Sequence, residues 1–445
     1  MDFEALKNAL FAEAKAQGLT EYEVYAKMSS DLSATVQGRE LQSVTSGTEG
    51  GVCFRCAVNG RIGAASTQST EPKEVLALVA RAVANAAVID ADEEPVFFGG
   101  SPAYAEKTCS PVAVPGTGEV RRAALDLSAR TFAADGRVSD SSSMGAGAGC
   151  VTVSLANSKG LSLTNEMNMQ YAYVDAVLKT EAESVDAFAV AKNIAGNDPD
   201  VAVKAVGKAA AKLGAGRVKT GVYDVIFAAD QVRSLLSAFG GAFSGKAALE
   251  GLSRLAGKED TQVAAPILTL VDDPFYPENP MQSPFDAEGV ATYRKNLIEH
   301  GVLKTLLYDL TTAKKAGKTT TGNASRPSYA SNVAIASYCM RVEGGKETPE
   351  QLRERMGNGI FITEMKGLHA GANGVTGDFS IESAGFLVEN GRLGAPVKTF
   401  TVAGNFFELL KAVDGVADNV EMGTPGLSIK AAPDILVRGL SVAGE

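Results

Sequence analysis

Apolar residues recur at Phe3, Leu6, Leu10 and Ala14, one stripe of a 3.6-residue period, and Gly18 stops it. The period then changes to two. Tyr22, Val24, Ala26 and Met28 alternate with polar neighbours, and Leu32, Ala34 and Val36 alternate again, as in half-buried strands. Val52, Phe54, Cys56 and Val58 line one face of a strand that meets Asn59-Gly60, and residues 62–65 return. Asn-Gly between two such runs predicts a two-residue hairpin, because both turn positions need positive φ. Pro72 opens a helix whose buried face carries Val75, Leu78, Val79, Ala82, Val83 and Ala86. Residues 93–118, rich in Pro and Gly, read as a connection, and residues 119–133 read as a helix through Val120, Ala124, Leu127 and Thr131.

Residues 139–149 are small and polar and predict a loop. Val151, Val153 and Leu155 then form a strand, Asn157-Ser158-Lys159-Gly160 a turn, and residues 161–163 the return. This strand, Asn-x-Gly turn, strand pattern echoes residues 52–65 and predicts an internal duplication in the N-terminal part. Residues 171–178 give another strand, and Asp198-Pro199 starts an Ala-rich helix to Leu213. Gly214-Ala215-Gly216 marks a boundary between domains 1–215 and 216–445. Past it come a strand through Val222, Val225, Ile226 and Phe227, then a helix capped by Asp230 with Val232, Leu235, Leu236, Phe239 and Phe243 inward. A proline-punctuated loop (266–284), a hairpin around His300-Gly301, a polar stretch (317–337) and a short helix (349–356) follow. Strands grouped in hairpins with intervening helices predict an α+β protein of two domains, built of antiparallel, hairpin-rich sheets with packed helices.

The densest signal is the stretch 367–405. Gly367, Gly371, Gly374 and Gly377 surround His369, Asn373, Thr376 and Asp378, and feed a hairpin turned at Asn390-Gly391. One reading makes Gly367, His369, Gly371, Asn373, Thr376, Gly377 and Asp378 a surface for a peptide or a partner. The other makes the stretch a tight connection between buried strands. A helix over 406–413 and apolar strands at 435–437 and 440–442 end the chain.

At 445 residues, 45% hydrophobic and 21% charged, the composition is that of a soluble globular protein with more than one core. No apolar run reaches membrane-spanning length, and the acidic start Met1-Asp2-Phe3-Glu4 lacks a signal-peptide pattern, so a cytoplasmic protein is expected. Five scattered cysteines argue against a disulfide framework. A net charge of −10 disfavours a broad nucleic-acid face.

Several motifs fall short of their chemistry. Residues 240–246 fit the first seven positions of a phosphate-binding loop, but Ala247 stands where the Mg²⁺-binding hydroxyl belongs and helical periodicity precedes it. Cys53 and Cys56 form a lone C-x-x-C whose members point to opposite faces of a strand. The two histidines, His300 and His369, lie far apart, and neither has a second ligand at metal-binding spacing. His300 reads as a turn residue. Asp272-Asp273 before Pro274 reads as turn capping rather than a catalytic carboxylate pair. No cofactor is expected.

Motifs along nearly the whole chain resemble the TldD/PmbA family, long labelled modulators of DNA gyrase. They are Gly51-Val52-Cys53-Phe54-Arg55, residues 59–67 and 156–160, Gly241-Ala242-Phe243-Ser244-Gly245, residues 283–290 and 301–304, Thr321-Gly322-Asn323, Thr376-Gly377-Asp378-Phe379-Ser380, residues 388–391, Pro396-Val397 and residues 402–405. The resemblance implies two paralogous types that pair as a heterodimeric metallopeptidase. The TldD type carries His-Glu-x-x-x-His on a helix and a cysteine ligand near the C-terminus; the PmbA type, also called TldE, lacks them. Here that helix corresponds to residues 232–246, with Ser237, Ala238 and Ala242 at the ligand and glutamate positions, and residues 421–425 hold no cysteine. None of these residues can hold zinc or activate a water. The implied role is a PmbA-like subunit supporting proteolysis or peptide maturation by a TldD-type partner, with a stand-alone homodimeric peptide-binding protein as the rival. A third reading makes His369 and Asp378 a new catalytic site.

Overall fold

The structure, a computed structural model, describes residues 2–69, 71–88, 96–197 and 200–445. The predicted helix start at Asp198-Pro199 and the first residues of the 93–118 connection lie outside this set. Helix α1 (Phe3–Ala16) is capped by Asp2, whose carboxylate accepts from the Glu4 and Ala5 amides, and it buries Leu6, Leu10 and Ala14. Strands β1 (Tyr22–Gln37), β2 (Glu40–Val58) and β3 (Arg61–Thr67) precede helix α2 (Pro72–Val88). Helix α3 (Thr117–Ala134), strands β4 (Ser143–Asn157), β5 (Ser162–Lys179) and β6 (Ser184–Ala191), and helix α4 (Val201–Ala210) repeat the same order. The six strands form one sheet, β3-β2-β1-β4-β5-β6, in which the two units meet along the antiparallel β1–β4 pair.

The duplication is therefore one of helix–three strands–helix units. The echo in the sequence joins hairpins that are not equivalent: the first Asn-Gly turn links the second and third strands of its unit, whereas the Asn157–Gly160 turn links the first and second. Asn59 (φ 51°) and Gly60 (φ 76°) both take the left-handed conformation, with Val58 paired to Arg61, as a two-residue hairpin requires.

The loop expected over 139–149 is strand from Ser143 onward. Its glycines mark ring packing rather than turning. A Cβ at Gly145 would lie 2.4 Å from Tyr173 Cε1, and one at Gly147 2.6 Å from Tyr171 Cζ, so glycine admits the tyrosines of β5. Gly63 does the same for a helix: a Cβ there would sit 1.9 Å from the Ala82 carbonyl oxygen of α2. Gly63→Ala should push α2 off the sheet at a cost of about 1–3 kcal/mol, read by urea denaturation; an unchanged midpoint would show that the helix shifts freely.

In the C-terminal part, β7 (Gly221–Phe227) lies between the Gly359–Lys366 and Ile435–Ala443 strands, and the Asp378–Glu389 and Arg392–Asn405 strands follow outward from the first of these. Arg392–Asn405 pairs back onto Ile435–Ala443, Thr401 opposite Ala443, so the five strands close into a ring. A second six-stranded sheet includes Leu270–Asp272, Cys339–Val342 and Ile429–Ala432. Helix α5 (Ala229–Phe239) leaves β7 and packs between ring and second sheet, against Gly359–Lys366 and Ile429–Ala432. Val232, Leu235, Leu236 and Phe239 are buried, and Phe239 stacks on Phe406 with ring centroids 4.6 Å apart. Asp230 does not cap this helix: it lies in the first turn, and Asp434 Oδ1 instead accepts from the Ala229 amide at 2.8 Å. The expected helix over 406–413 spans Phe406–Lys411.

The N-terminal sheet and the C-terminal part meet along β1. Glu23, Tyr25 and Lys27 project from the same face of that strand. Glu23 accepts from Arg326 Nη2 at 2.8 Å, the Arg326 guanidinium lies 4.5 Å over the Tyr25 ring, and Lys27 donates to the carbonyls of Arg326 and Pro327. Tyr25, Leu155 and Leu161 pack with Ala287 and Ala324 in the same seam.

Candidate functional site

The glycine-rich stretch begins at Gly367, whose φ of 76° starts a single helical turn, Leu368–Gly371. A Cβ at Gly371 would come 2.5 Å from the Ser380 carbonyl oxygen and 2.7 Å from Ile381 Cδ1, so this turn lies directly on the following strand. Asn373 Oδ1 accepts from the Val375 and Thr376 amides, at 3.0 and 3.1 Å, and folds the loop on itself. Gly377 (φ 84°) carries the chain past Phe407, where a Cβ would meet the ring at 2.5 Å. The Thr376 carbonyl accepts from Arg254 Nη1 and Asn405 Nδ2. Asp378 is exposed and accepts from Asn405 Nδ2 at 2.8 Å; the Asn405 amide, and after it the Thr376 hydroxyl, hold its carboxyl below the usual range. The glycines at 371 and 377 thus serve close packing, while His369, Asn373, Thr376 and Asp378 all face outward.

His369 opens onto a cavity of about 1040 Å³. One wall is α5, through Asp230, Arg233, Ser234, Ser237 and Ala238. A second is the helical turn, through Leu368, His369 and Ala372. The third is the segment 423–430, through Gly423, Thr424, Ser428, Ile429 and Lys430. Asp378, Asn373 and Thr376 do not line it. His369 and Asp378 are thus not brought together in this cavity.

Ser237 and Ala238, the positions matching the TldD-type ligand helix, lie on the cavity wall, whereas Ala242 is buried in the core beneath it. The cavity offers one imidazole, one carboxylate (Asp230), hydroxyls and two cations, Arg233 and Lys430. That donor set does not fit a zinc ion, which needs several imidazole, thiolate or carboxylate ligands converging on one point. Among the described residues no three His, Cys, Asp or Glu side chains gather in a metal-holding arrangement.

The remaining motifs resolve as packing. Residues 240–246 follow a helix rather than a strand; Ser244 Oγ caps the Gly245–Leu249 turn, and a Cβ at Gly245 would lie 2.2 Å from Tyr308 Cε1. Cys56 is buried among the α1 and α2 side chains, and Cys53 is buried on the opposite face. His300, with φ 46°, is an exposed turn residue. Asp273 caps its turn, accepting from the Phe275 amide at 3.0 Å, but Asp272 does not. Asp272 is fully buried and accepts from the Tyr338 and Cys339 amides and from Asn323 Nδ2, with Lys295 Nζ at 3.6 Å. The Asp-Asp-Pro spacing carries the turn signal for one residue and hides the buried role of the other.

The chain matches two family models, the PmbA/TldA metallopeptidase C-terminal domain over residues 220–444 and PmbA/TldA metallopeptidase domain 1 over residues 22–86. It is 32% identical over 216 residues to the metalloprotease PmbA homolog of Haemophilus influenzae, covering 48% of this chain and 45% of that protein. It is 31% identical over 197 residues to metalloprotease PmbA of Escherichia coli O157:H7, covering 44% of this chain and 41% of that one. The chain thus spans about half the length of the curated relatives it matches. A proposed DNA gyrase modulator from Thermotoga maritima superposes with a TM-score of 0.89 at 28% identity, over 99% of this chain and 100% of that one. TldE from Thermococcus kodakarensis shares the fold, with a TM-score of 0.89 over the same shares at 24% identity. No helix among the described residues is long and apolar enough to cross a membrane. With a family model covering the C-terminal half and a second matching within the N-terminal sheet, the chain belongs to the PmbA/TldD family of metallopeptidase-related proteins.

Proposed function

We propose that this chain is a metal-free, peptide-holding subunit that supports hydrolysis by a zinc-bearing, TldD-type relative. The observation that carries this is the cavity along α5: it stands beside the ligand-helix positions, yet presents Ser237, Ala238, Arg233 and Lys430 instead of ligands. The loop 367–378 borders it through Leu368, His369 and Ala372, and its other outward polar side chains, Asn373, Thr376 and Asp378, serve the partner subunit or a peptide outside the cavity. An extended peptide needs only main-chain donors and acceptors and a wall to lie on. The gyrase designation of the Thermotoga relative does not enter the proposal, since a net charge of −10 gives it no support.

The test is reconstitution. The chain alone should leave an unstructured peptide intact, and the mixture with a TldD-type relative should cleave it, with zinc recovered only from the relative. His369→Ala should change stability by less than about 0.5 kcal/mol, because the side chain is exposed, while lowering assembly or cleavage several-fold. A self-dimer that binds peptide and never engages such a relative would replace this reading with that of a stand-alone binding protein. Full assembly and full cleavage by the variant would remove His369 from the site.

A further inference from the structure

We infer that the α5 cavity is a carboxylate-recognition site, in which Arg233 and Lys430 hold the negative end of a peptide. The inference rests on the peptide-holding reading above and names the chemistry of what is held.

The chain is acidic, with a net charge of −10, yet this cavity gathers a guanidinium, an ammonium and the His369 imidazole. Arg233 Nη1 is buried and has no hydrogen-bond partner among the described residues. Burial holds the guanidinium below its usual pKa, with Asp230 and then Glu421 opposing. Both acids are shared with other cations, Asp230 at 3.5 Å from Lys208 and Glu421 at 3.4 Å from Lys204, and neither hydrogen-bonds Arg233 Nη1. A buried donor on a charged group without an acceptor is costly, and a ligand oxygen removes the cost. Lys430 stands on the opposite wall, and its ammonium donates to the neutral Ser337 hydroxyl at 2.6 Å. Burial lowers its pKa against the opposing charge of Asp272, and a bound anion would raise it further. Thr424 and Ser428 add hydroxyls around the same space, while the Ser237 hydroxyl already donates to the Arg233 carbonyl.

A carboxylate suits this set. It has two oxygens for the flat guanidinium fork and a single charge to set against cations already partly offset by Asp230. In a peptide that group is the terminal carboxylate or an Asp or Glu side chain. The shape agrees: at about 1040 Å³ the cavity stands at the upper end of the range for small-molecule sites and is open enough for chain to continue beyond the charged end.

The experiment measures binding of an acetylated Gly/Ala pentapeptide to the full chain by calorimetry. Three forms are compared: the free C-terminal acid, the C-terminal amide, and the amide with one glutamate. The acid should bind at least tenfold more tightly than the amide. Recovery of affinity in the glutamate-bearing amide would assign recognition to any peptide carboxylate, and failure to recover would assign it to the chain end; either outcome supports the site. Arg233→Gln and Lys430→Gln should each reduce the acid–amide difference to under threefold while amide binding stays unchanged. Because the acid–amide comparison uses the unaltered protein, a poorly folding variant does not blunt the test. Equal binding of acid and amide overturns the carboxylate site but leaves the peptide-holding reading standing, whereas binding of no form removes both. Inorganic phosphate that displaces the acid peptide, and itself binds more tightly, also overturns the assignment to carboxylate.

Discussion

Glu23→Ala should destabilise the protein by about 3–5 kcal/mol. One carboxylate oxygen, Glu23 Oε1, sits 2.8 Å from Arg326 Nη2 and 3.1 Å from Arg55 Nε. The Glu23 and Arg326 side chains are 2% and 1% exposed, so water screens neither. Removing the carboxylate strands two guanidinium groups, and Arg326 Nε and Nη1 already lack hydrogen-bond partners among the described residues. Both guanidinium groups then lose their nearest counter-charge while staying desolvated, and the seam between the N-terminal sheet and the C-terminal part should open first. Arg326→Met should cost less, because Glu23 keeps Arg55 and methionine fills much of the space over Tyr25. Urea denaturation followed separately by a probe in each part checks both statements. A loss below about 1 kcal/mol for Glu23→Ala, or an equal loss for the two variants, would mean that water enters the seam and screens the cluster.

This seam also shows where the sequence stops being legible. The alternation Tyr22, Val24, Ala26 reports one buried face of β1, and that face is buried as expected. The opposite face carries Glu23, Tyr25 and Lys27, which read as solvent-facing because period-two patterning registers apolar burial alone. It is covered by the loop around Arg326, some three hundred residues away, through ion pairs, hydrogen bonds and a ring contact. The Asn-Gly hairpins and the α5 stripe were readable because their signals are local: two positive-φ residues in one case, four apolar residues in one register in the other. The β4 glycines misled because glycine in a strand and glycine in a loop look alike until the facing Tyr171 and Tyr173 are known. At the candidate site, His369 was legible as an outward polar residue in an unusual loop. Arg233 and Lys430 gave no sequence signal at all, since each is a single cation in an otherwise ordinary helix or strand, and only the fold places them on one cavity.

Glu288→Gln should weaken the pH dependence of stability that the buried pair Asp286 and Glu288 imposes. Both carboxyls lie on the turn at Gly289, 2% and 4% exposed. Asp286 accepts from three backbone amides, those of Glu288, Val290 and Ala324, and these favour its ionised form. Glu288 accepts from one, that of Leu310. Burial raises both pKa values, and for Glu288 the neighbouring Asp286 adds to it, with Asp309 acting in the same direction and Arg55 opposing. The better hydrogen-bonded carboxylate holds its charge to lower pH: burial raises Asp286 to about 7 and Glu288, beside it, to about 8, so Glu288 is the first of the pair to take a proton as pH falls. The sign follows. Between the unfolded carboxyl's pKa near 4.5 and about 8, the folded state binds a proton that the unfolded state releases. Stability therefore falls as pH rises through that window and levels off above it. Glutamine mimics the protonated acid at every pH and removes Glu288's share of this slope, while Asp286, which burial raises to about 7, keeps its own. At pH 5 the variant should match the parent or fall slightly below it, because the amide carries one more donor to satisfy. At pH 8.5 it should be the more stable of the two, by on the order of 3 kcal/mol. Paired urea titrations at the two pH values measure the difference directly. A parent–variant difference that does not change with pH would show that Glu288 is ionised in the folded protein throughout, with Arg55 as its counter-charge.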